Sequence, residues 1–159
     1  MDIGIGRRPH ERRGGWWHPN AELNGRGRGA DTEDVGQILS DLGYFTRRVQ
    51  DEMARAKRSG SSFSIAVFTA QPGHGELPEI ACVRSLPAIL TGVRQTDTVA
   101  RVGLDAIAVL LVDADGEGSR AASLRLLERL GEDAHRWHVR VLEYPDQESL
   151  LVDLGLTAA

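Results

Sequence analysis

The sequence has little of several features that would define a class of protein. Its 159 residues include one cysteine, Cys82, which excludes a disulfide within the chain and fits the reducing cytoplasm. We interpret Cys82 as a small buried residue rather than as a reactive thiol. No uninterrupted apolar run approaches the roughly 20 residues that a membrane-spanning helix needs. We therefore expect a cytoplasmic protein with no transmembrane segment.

Acidic residues are scarce at the start of the chain. Residues 1–30 contain six arginines against three acidic residues, a net charge of +3, whereas residues 31–159 have a net charge of −7. Residues 1–36 are also rich in glycine and show neither helical nor strand periodicity. Such a segment buries too little apolar surface to offset its ordering entropy. We predict a flexible basic arm over residues 1–36 and one globular domain over residues 37–159.

The arm contains an adjacent tryptophan pair, Trp16 and Trp17, close to Arg12 and Arg13. Exposed tryptophans tend to anchor interfaces, so this cluster predicts a peptide that docks on a protein partner. A solvated tail without a binding role is the simpler alternative. Six basic residues on an acidic body are too few to favour nucleic acid as the partner.

The rest of the chain alternates helical and strand patterns. A helix is predicted from Asp41, with Gly60 after its end, and a further helix has a break or kink at Pro87. Its predicted core side chains include Ile80 and Val83. In order, the patterns predict helix 41–58, strand 63–69, helix 78–91, strands 98–102 and 106–112, helix 119–130, strand 137–144 and helix 148–154. This order is typical of an α+β sandwich, with a mostly antiparallel sheet and helices packed over it.

The two central strand patterns flank a short connection that contains Gly103. Residues 106–112 are apolar almost throughout, which predicts a strand covered on both faces of the sheet. Two such strands joined by a Gly-containing connection predict a hairpin whose turn reaches solvent.

At these residues the chain resembles the GGDEF family, the diguanylate cyclase domain. The family pattern reads roughly R-x-x-D-x-x-A-R-Y-G-G-D-E-F-A-V-L-L, and Arg94, Asp97, Gly103 and Asp105 are in register with it. The resemblance extends over most of the chain from about Leu42. It implies a ferredoxin-like fold of the nucleotide-cyclase type.

The signature turn departs from the family pattern at three positions. Leu104 replaces the second glycine, Ala106 the glutamate and Ile107 the phenylalanine, while Asp105 is retained. In active relatives, the strand matching residues 63–69 ends in an aspartate that helps to hold Mg²⁺, and here it ends at Thr69. Magnesium needs hard oxygen ligands, and a side chain at position 104 opposes positive φ and the approach of a phosphate. We therefore expect a pseudo-enzyme with no bound metal, no cofactor and no catalytic residues.

One functional motif of the family remains. Many family members carry Arg-x-x-Asp before the signature turn, and this motif binds cyclic di-GMP; Arg94 and Asp97 match it. A guanidinium suits phosphate, and a carboxylate accepts hydrogen bonds from guanine. The alternative is a structural role, with Arg94 solvating a helix end. Two functional interpretations therefore stay open, a regulatory receptor for cyclic di-GMP and a nucleotide-independent docking module, ahead of residual catalysis.

Overall fold

The computed structural model describes residues 39–73 and 75–153, apart from the side chains of residues 150, 152 and 153. The predicted arm, including Arg12, Arg13, Trp16 and Trp17, lies outside the described residues. The described elements are β1 Leu39–Ser40, α1 Leu42–Ser59, β2 Phe63–Ala70, α2 Pro78–Leu90, β3 Thr98–Arg101, β4 Ala106–Val112, α3 Gly116–Arg129, a 3₁₀ helix Gly131–Arg136, β5 Trp137–Tyr144 and α4 Glu148–Asp153.

Five strands form one mixed sheet in the order β1-β3-β4-β2-β5. The β3–β4, β4–β2 and β2–β5 pairs are antiparallel, and β1 pairs in parallel with β3 at the edge. Strand β4 therefore lies inside the sheet, as its apolar sequence predicted. The predicted hairpin and the α+β sandwich are both confirmed.

Helices cover both faces of the sheet because successive side chains of each strand point to opposite sides. On one face, Ile65 of β2 packs in a core with Phe45 and Val49 of α1. On the other face, Phe68 packs in a core that includes Ile89 of α2 and Leu126 of α3. The two clusters give the domain an apolar core on each side of the sheet.

Helix α1 begins and ends where its sequence predicts. Asp41 accepts a hydrogen bond from the amide of Tyr44 at 2.8 Å, which satisfies one of the free amides of the first turn. Gly60 follows the helix with φ of 67°, a left-handed conformation that glycine adopts without a side-chain clash. Local capping signals therefore determine both ends of this helix.

One prediction for α2 is wrong, and it concerns the core side chains. The helix continues without a break from Pro78 to Leu90, with Pro87 inside it. Ile80 and Val83 were predicted in the core but are 51% and 54% exposed. The buried side of α2 instead has small residues such as Ala81 and Cys82, which let the helix lie close to the sheet.

Among the described residues, no helix has both the length and the hydropathy needed to cross a bilayer.

Candidate ligand-binding site

The first of two regions that the sequence pointed to is the turn between β3 and β4, which corresponds to the degenerate signature turn. The amide of Val102 donates to the carbonyl of Ala106 at 3.0 Å and closes the turn. The guanidinium of Arg101 donates to the carbonyls of Gly103 and Leu104, at 3.1 and 2.6 Å. Arg101 therefore has a structural role, since it holds the backbone of the turn.

The side chains around this turn offer little to a metal ion. Leu104 is 59% exposed at the tip, while Ala106 and Ile107 are buried in the sheet. Thr69 of β2 is the register partner of Ala106, so neither of these two paired positions has a carboxylate. In the part of the chain that the structure describes, no three His, Cys, Asp or Glu side chains are grouped as metal ligands. Asp105 is retained, and its carbonyl accepts the amide of Ala70 at 2.8 Å.

The effect of Leu104 on the backbone differs from expectation. Among the described residues, Asp113 is the single non-glycine residue with positive φ, and Leu104 is therefore accommodated in the turn without left-handed strain. Of the two effects expected of Leu104, only the bulk of its side chain, which would oppose the approach of a phosphate, remains.

The second place is a pocket at the opposite end of the β3–β4 hairpin. It has a volume of about 270 Å³ and lies between the α2–β3 loop, the end of β4 and the first turns of α3. Five charged residues line it: Arg94, Asp97, Asp113, Asp115 and Arg125. The structure thus places both residues of the Arg-x-x-Asp motif in one pocket, together with a second arginine.

Asp97 organises the loop that carries Arg94. It is 5% exposed, and its Oδ2 accepts the backbone amide of Arg94 at 3.0 Å while its Oδ1 accepts the amide of Val112 at 3.2 Å. The amide of Asp97 also donates to the carbonyl of Arg94 at 3.1 Å. These bonds fix the α2–β3 loop against the end of β4, so the motif has a structural function whether or not a ligand binds.

The electrostatics of Asp97 show which charges lie near it. Burial raises the pKa of Asp97, because the charged form loses solvation. The amides of Arg94 and Val112, and then the positive charges of Arg94 and Arg125, act in the opposite direction. Both arginines are therefore close enough to Asp97 to affect the pKa of its carboxyl group.

Arg125 was not among the residues selected from the sequence. It lies on α3, where Gly118, Ala122 and Arg125 all line the pocket. Their spacing of four and three residues places them on one side of a helix. In the sequence, the pattern that could have indicated Arg125 is two small residues followed by an arginine on one side of a helix. This pattern does not show which loop the helix meets, because the α2–β3 loop is about 30 residues away in sequence.

The two remaining acidic residues of the pocket differ in their contacts. Asp115 is the N-cap of α3, and its Oδ1 accepts the amide of Gly118 at 2.8 Å. Asp113 has φ of 52°, and its Oδ1 accepts a hydrogen bond from Arg55 of α1 at 2.6 Å. Asp113 therefore connects the pocket to α1.

Cys82 is buried, and burial raises the pKa of its thiol to about 11. It is thus a packing residue, in agreement with its interpretation from the sequence.

Comparison with solved structures identifies the fold. A DGC protein from Thermotoga maritima is 19% identical, with a TM-score of 0.62 over 79% of this chain and 100% of that chain. The GGDEF domain of YfiN from Pseudomonas aeruginosa is 19% identical, with a TM-score of 0.59 over 77% of this chain and 83% of that chain. LapD from Vibrio cholerae, bound to c-di-GMP, is 14% identical, with a TM-score of 0.55 over 76% of this chain and 31% of that chain.

No protein-family profile and no curated protein matches the sequence. The structural likenesses define a mixed five-stranded α+β domain of the nucleotide-cyclase type. More narrowly, the chain has the fold of GGDEF domains.

Proposed function

We propose that this chain is a catalytically inactive GGDEF-like regulatory domain that binds cyclic di-GMP in the pocket of Arg94 and Arg125. The observation that carries the proposal is the convergence of these two guanidinium groups, from separate elements, on one pocket beside Asp97. The ligand has two phosphates and two guanine bases. A planar guanidinium suits both a phosphate and the acceptor edge of guanine.

The fold adds support to this proposal. LapD has the same fold and was solved bound to c-di-GMP. Another solved GGDEF domain, 15% identical with a TM-score of 0.52, is described in an interaction with the same dinucleotide. Ligand binding away from the signature turn does not require the metal-holding groups of a cyclase.

The proposed lack of catalysis rests on the turn. Phosphoryl transfer relies on metal ions and positioned charges to stabilise the transition state. Thr69 and Ala106 face each other where an active site would place carboxylates, and Leu104 adds bulk at the tip. Asp105 alone is a poor Mg²⁺ site, because this ion is usually held by one or two carboxylates plus phosphates and water.

Isothermal titration calorimetry with cyclic di-GMP tests the binding proposal. Losing a hydrogen bond to a charged group costs about 1.5–3 kcal/mol, so Arg94→Ala and Arg125→Ala should each weaken affinity about 10- to 100-fold. Arg120→Ala is the matched control: it removes an arginine from the same helix, but one that pairs with Glu143 at 3.1 Å outside the pocket. Binding that is unaffected by both pocket substitutions would contradict the proposal.

Prolonged incubation with GTP and Mg²⁺ or Mn²⁺ tests the lack of catalysis. We expect no cyclic di-GMP or pyrophosphate above the level of a protein-free control. Product whose formation is abolished by Asp105→Ala would show a working active site and would refute this part.

The second candidate function is docking on a protein through residues 1–36. The adjacent Trp16 and Trp17 among six arginines favour it. A partner that is captured by the full chain, lost on deletion of residues 1–36 and indifferent to cyclic di-GMP would support this function. A partner retained after the deletion would contradict it.

A further inference from the structure

One side of α2 is apolar and faces solvent. Leu77, Ile80 and Val83 are 58%, 51% and 54% exposed, and together they make up an apolar stripe. Independently of any binding of cyclic di-GMP, we propose that this stripe is a docking surface for the chain's own tryptophan pair, Trp16 and Trp17, which lies outside the described residues.

The apolar stripe has the properties of a contact surface. Leu77 is the N-cap of α2, and steps of three residues place Ile80 and Val83 beside it on neighbouring turns, over about 9 Å. Single exposed apolar residues are common on protein surfaces, whereas a contiguous group marks an interaction site. Among the described residues, seven large apolar side chains are exposed, and three of them belong to this stripe. The exposure is therefore concentrated on one side of one helix.

The charges beside the stripe suit a basic segment. Glu79 lies in the first turn of α2, four residues before Val83 and thus beside it on the helix surface. Arg84 is held by Glu76 at 3.0 Å and by Asp133 at 2.9 Å, so its positive charge is already compensated. A basic group that approaches the stripe therefore meets a carboxylate and no unpaired arginine on this part of α2.

The chain itself contains a segment of matching chemistry. Trp16 and Trp17 are adjacent large apolar side chains, and a tryptophan ring buries about 150–250 Å² when it is fully covered. Arg12 and Arg13 precede the pair by three to five residues, which is close enough for a guanidinium to face Glu79 while the rings cover the stripe. The apolar and the charged groups of this segment thus both have counterparts on α2.

The length of chain between the tryptophans and the sheet allows this contact. Trp17 lies 22 residues before Leu39, the first residue of β1, and a glycine-rich chain of that length spans about 26 Å as a random coil. Helix α2 packs on β4 and β2, two and three strands from β1, which is about 10–15 Å across the sheet. A segment tethered in this way has an effective concentration in the millimolar range, so a contact with a dissociation constant of about 1 mM is at least half occupied. The contact therefore forms within one molecule, and a protein partner of the tryptophan pair has to displace it.

Quenching of tryptophan fluorescence by acrylamide in the full chain tests the proposal. Trp137 is 7% exposed and gives the same protected background in every variant, so changes in quenching report on the tryptophan pair. A variant with both Ile80→Ser and Val83→Ser should raise the quenching constant of the pair at least about twofold, because it removes the apolar stripe. Both positions are exposed, so the fold is retained, and circular dichroism checks this.

Leu124→Ser is the matched control. Leu124 is 61% exposed on α3, outside the stripe, and its replacement should leave the quenching constant unchanged. A second measurement follows the other side of the contact. A variant with both Trp16→Ala and Trp17→Ala should shift the backbone amide resonances of α2 between residues 79 and 84, and it should not shift those around Leu124.

The expected result is quenching that does not depend on protein concentration and that rises on loss of the stripe but not in Leu124→Ser. Equal quenching of the unmodified chain and the double serine variant overturns the proposal, and so does an equal response to Leu124→Ser. Protection that falls on dilution, together with dissociation of a dimer in light scattering, also overturns it, because a second copy of the chain would then cover the stripe.

Discussion

Replacing Asp97 with alanine should destabilise the domain substantially, because Asp97 connects two elements that are distant in sequence. The change leaves the amides of Arg94 and Val112 without an acceptor at a site that is 5% exposed. Each buried unpaired donor costs about 1–3 kcal/mol, and the loss of a desolvated carboxylate offsets part of this. We expect a net loss of about 2–3 kcal/mol in the free energy of unfolding.

Urea unfolding followed by circular dichroism measures this effect. With a typical dependence of about 1–3 kcal/mol per molar urea, the midpoint should fall by about 0.7–3 M and the slope should not change. Asp51→Ala is the control, because Asp51 is exposed on α1 and its replacement should change stability by less than about 0.5 kcal/mol. Equal midpoints for the two variants would refute the role assigned to Asp97.

The pH dependence of the same comparison has a defined sign. Burial raises the pKa of Asp97, so the folded state binds this proton more tightly than the unfolded chain does. The contribution of this group to stability is complete below its unfolded pKa and declines as the pH rises through the raised folded value. The stability difference between the unmodified chain and Asp97→Ala should therefore shrink as the pH rises above about 4, the ordinary pKa of an aspartate. A difference that grows as the pH rises above this value would contradict the assignment of burial as the main cause.

Three further predictions concern the scaffold. The Cys82 thiol, with its pKa raised from 9.0 to about 11, should react with a disulfide reagent at pH 8 about 100-fold more slowly than an exposed thiol, and at full rate in denaturant. Gly92→Ala should cost about 1–3 kcal/mol in thermal unfolding, since its Cβ would lie 2.6 Å from Leu126 and 2.7 Å from Arg129, and the cost should shrink in a background with both Leu126→Ala and Arg129→Ala. Asp41→Ala should cost about 1 kcal/mol through loss of the α1 cap, and a change below about 0.3 kcal/mol would count against that cap.

Features set by local sequence were predicted well. The ends of α1 follow from Asp41 and Gly60, which act on neighbouring backbone groups. The β3–β4 hairpin follows from two apolar runs around Gly103, since adjacent strands with a short connection pair with each other.

Features set by distant contacts were predicted poorly. Strand β1 is two residues long and exists through its parallel pairing with β3, about 60 residues away. Whether Ile80 and Val83 are buried depends on which side of α2 meets the sheet. Both sides of this helix have apolar residues, so the sequence does not show which side that is.

The residues of the candidate site also fall into those set by local sequence and those set by distant contacts. The sequence indicated Arg94 and Asp97, because they lie three residues apart in one loop. It did not indicate Arg125 or the environment of Asp113, because the pocket forms only when the start of α3 meets the α2–β3 loop. The fold therefore places residues from three separate segments in one pocket, of which the motif is only one.

A crystal structure of the full chain with cyclic di-GMP tests the central claim most directly. The account predicts a phosphate of the ligand in contact with the guanidinium groups of Arg94 and Arg125, at the end of the hairpin away from Leu104. A dinucleotide bound at the Leu104 turn, or a pocket left empty at saturating ligand, would contradict it.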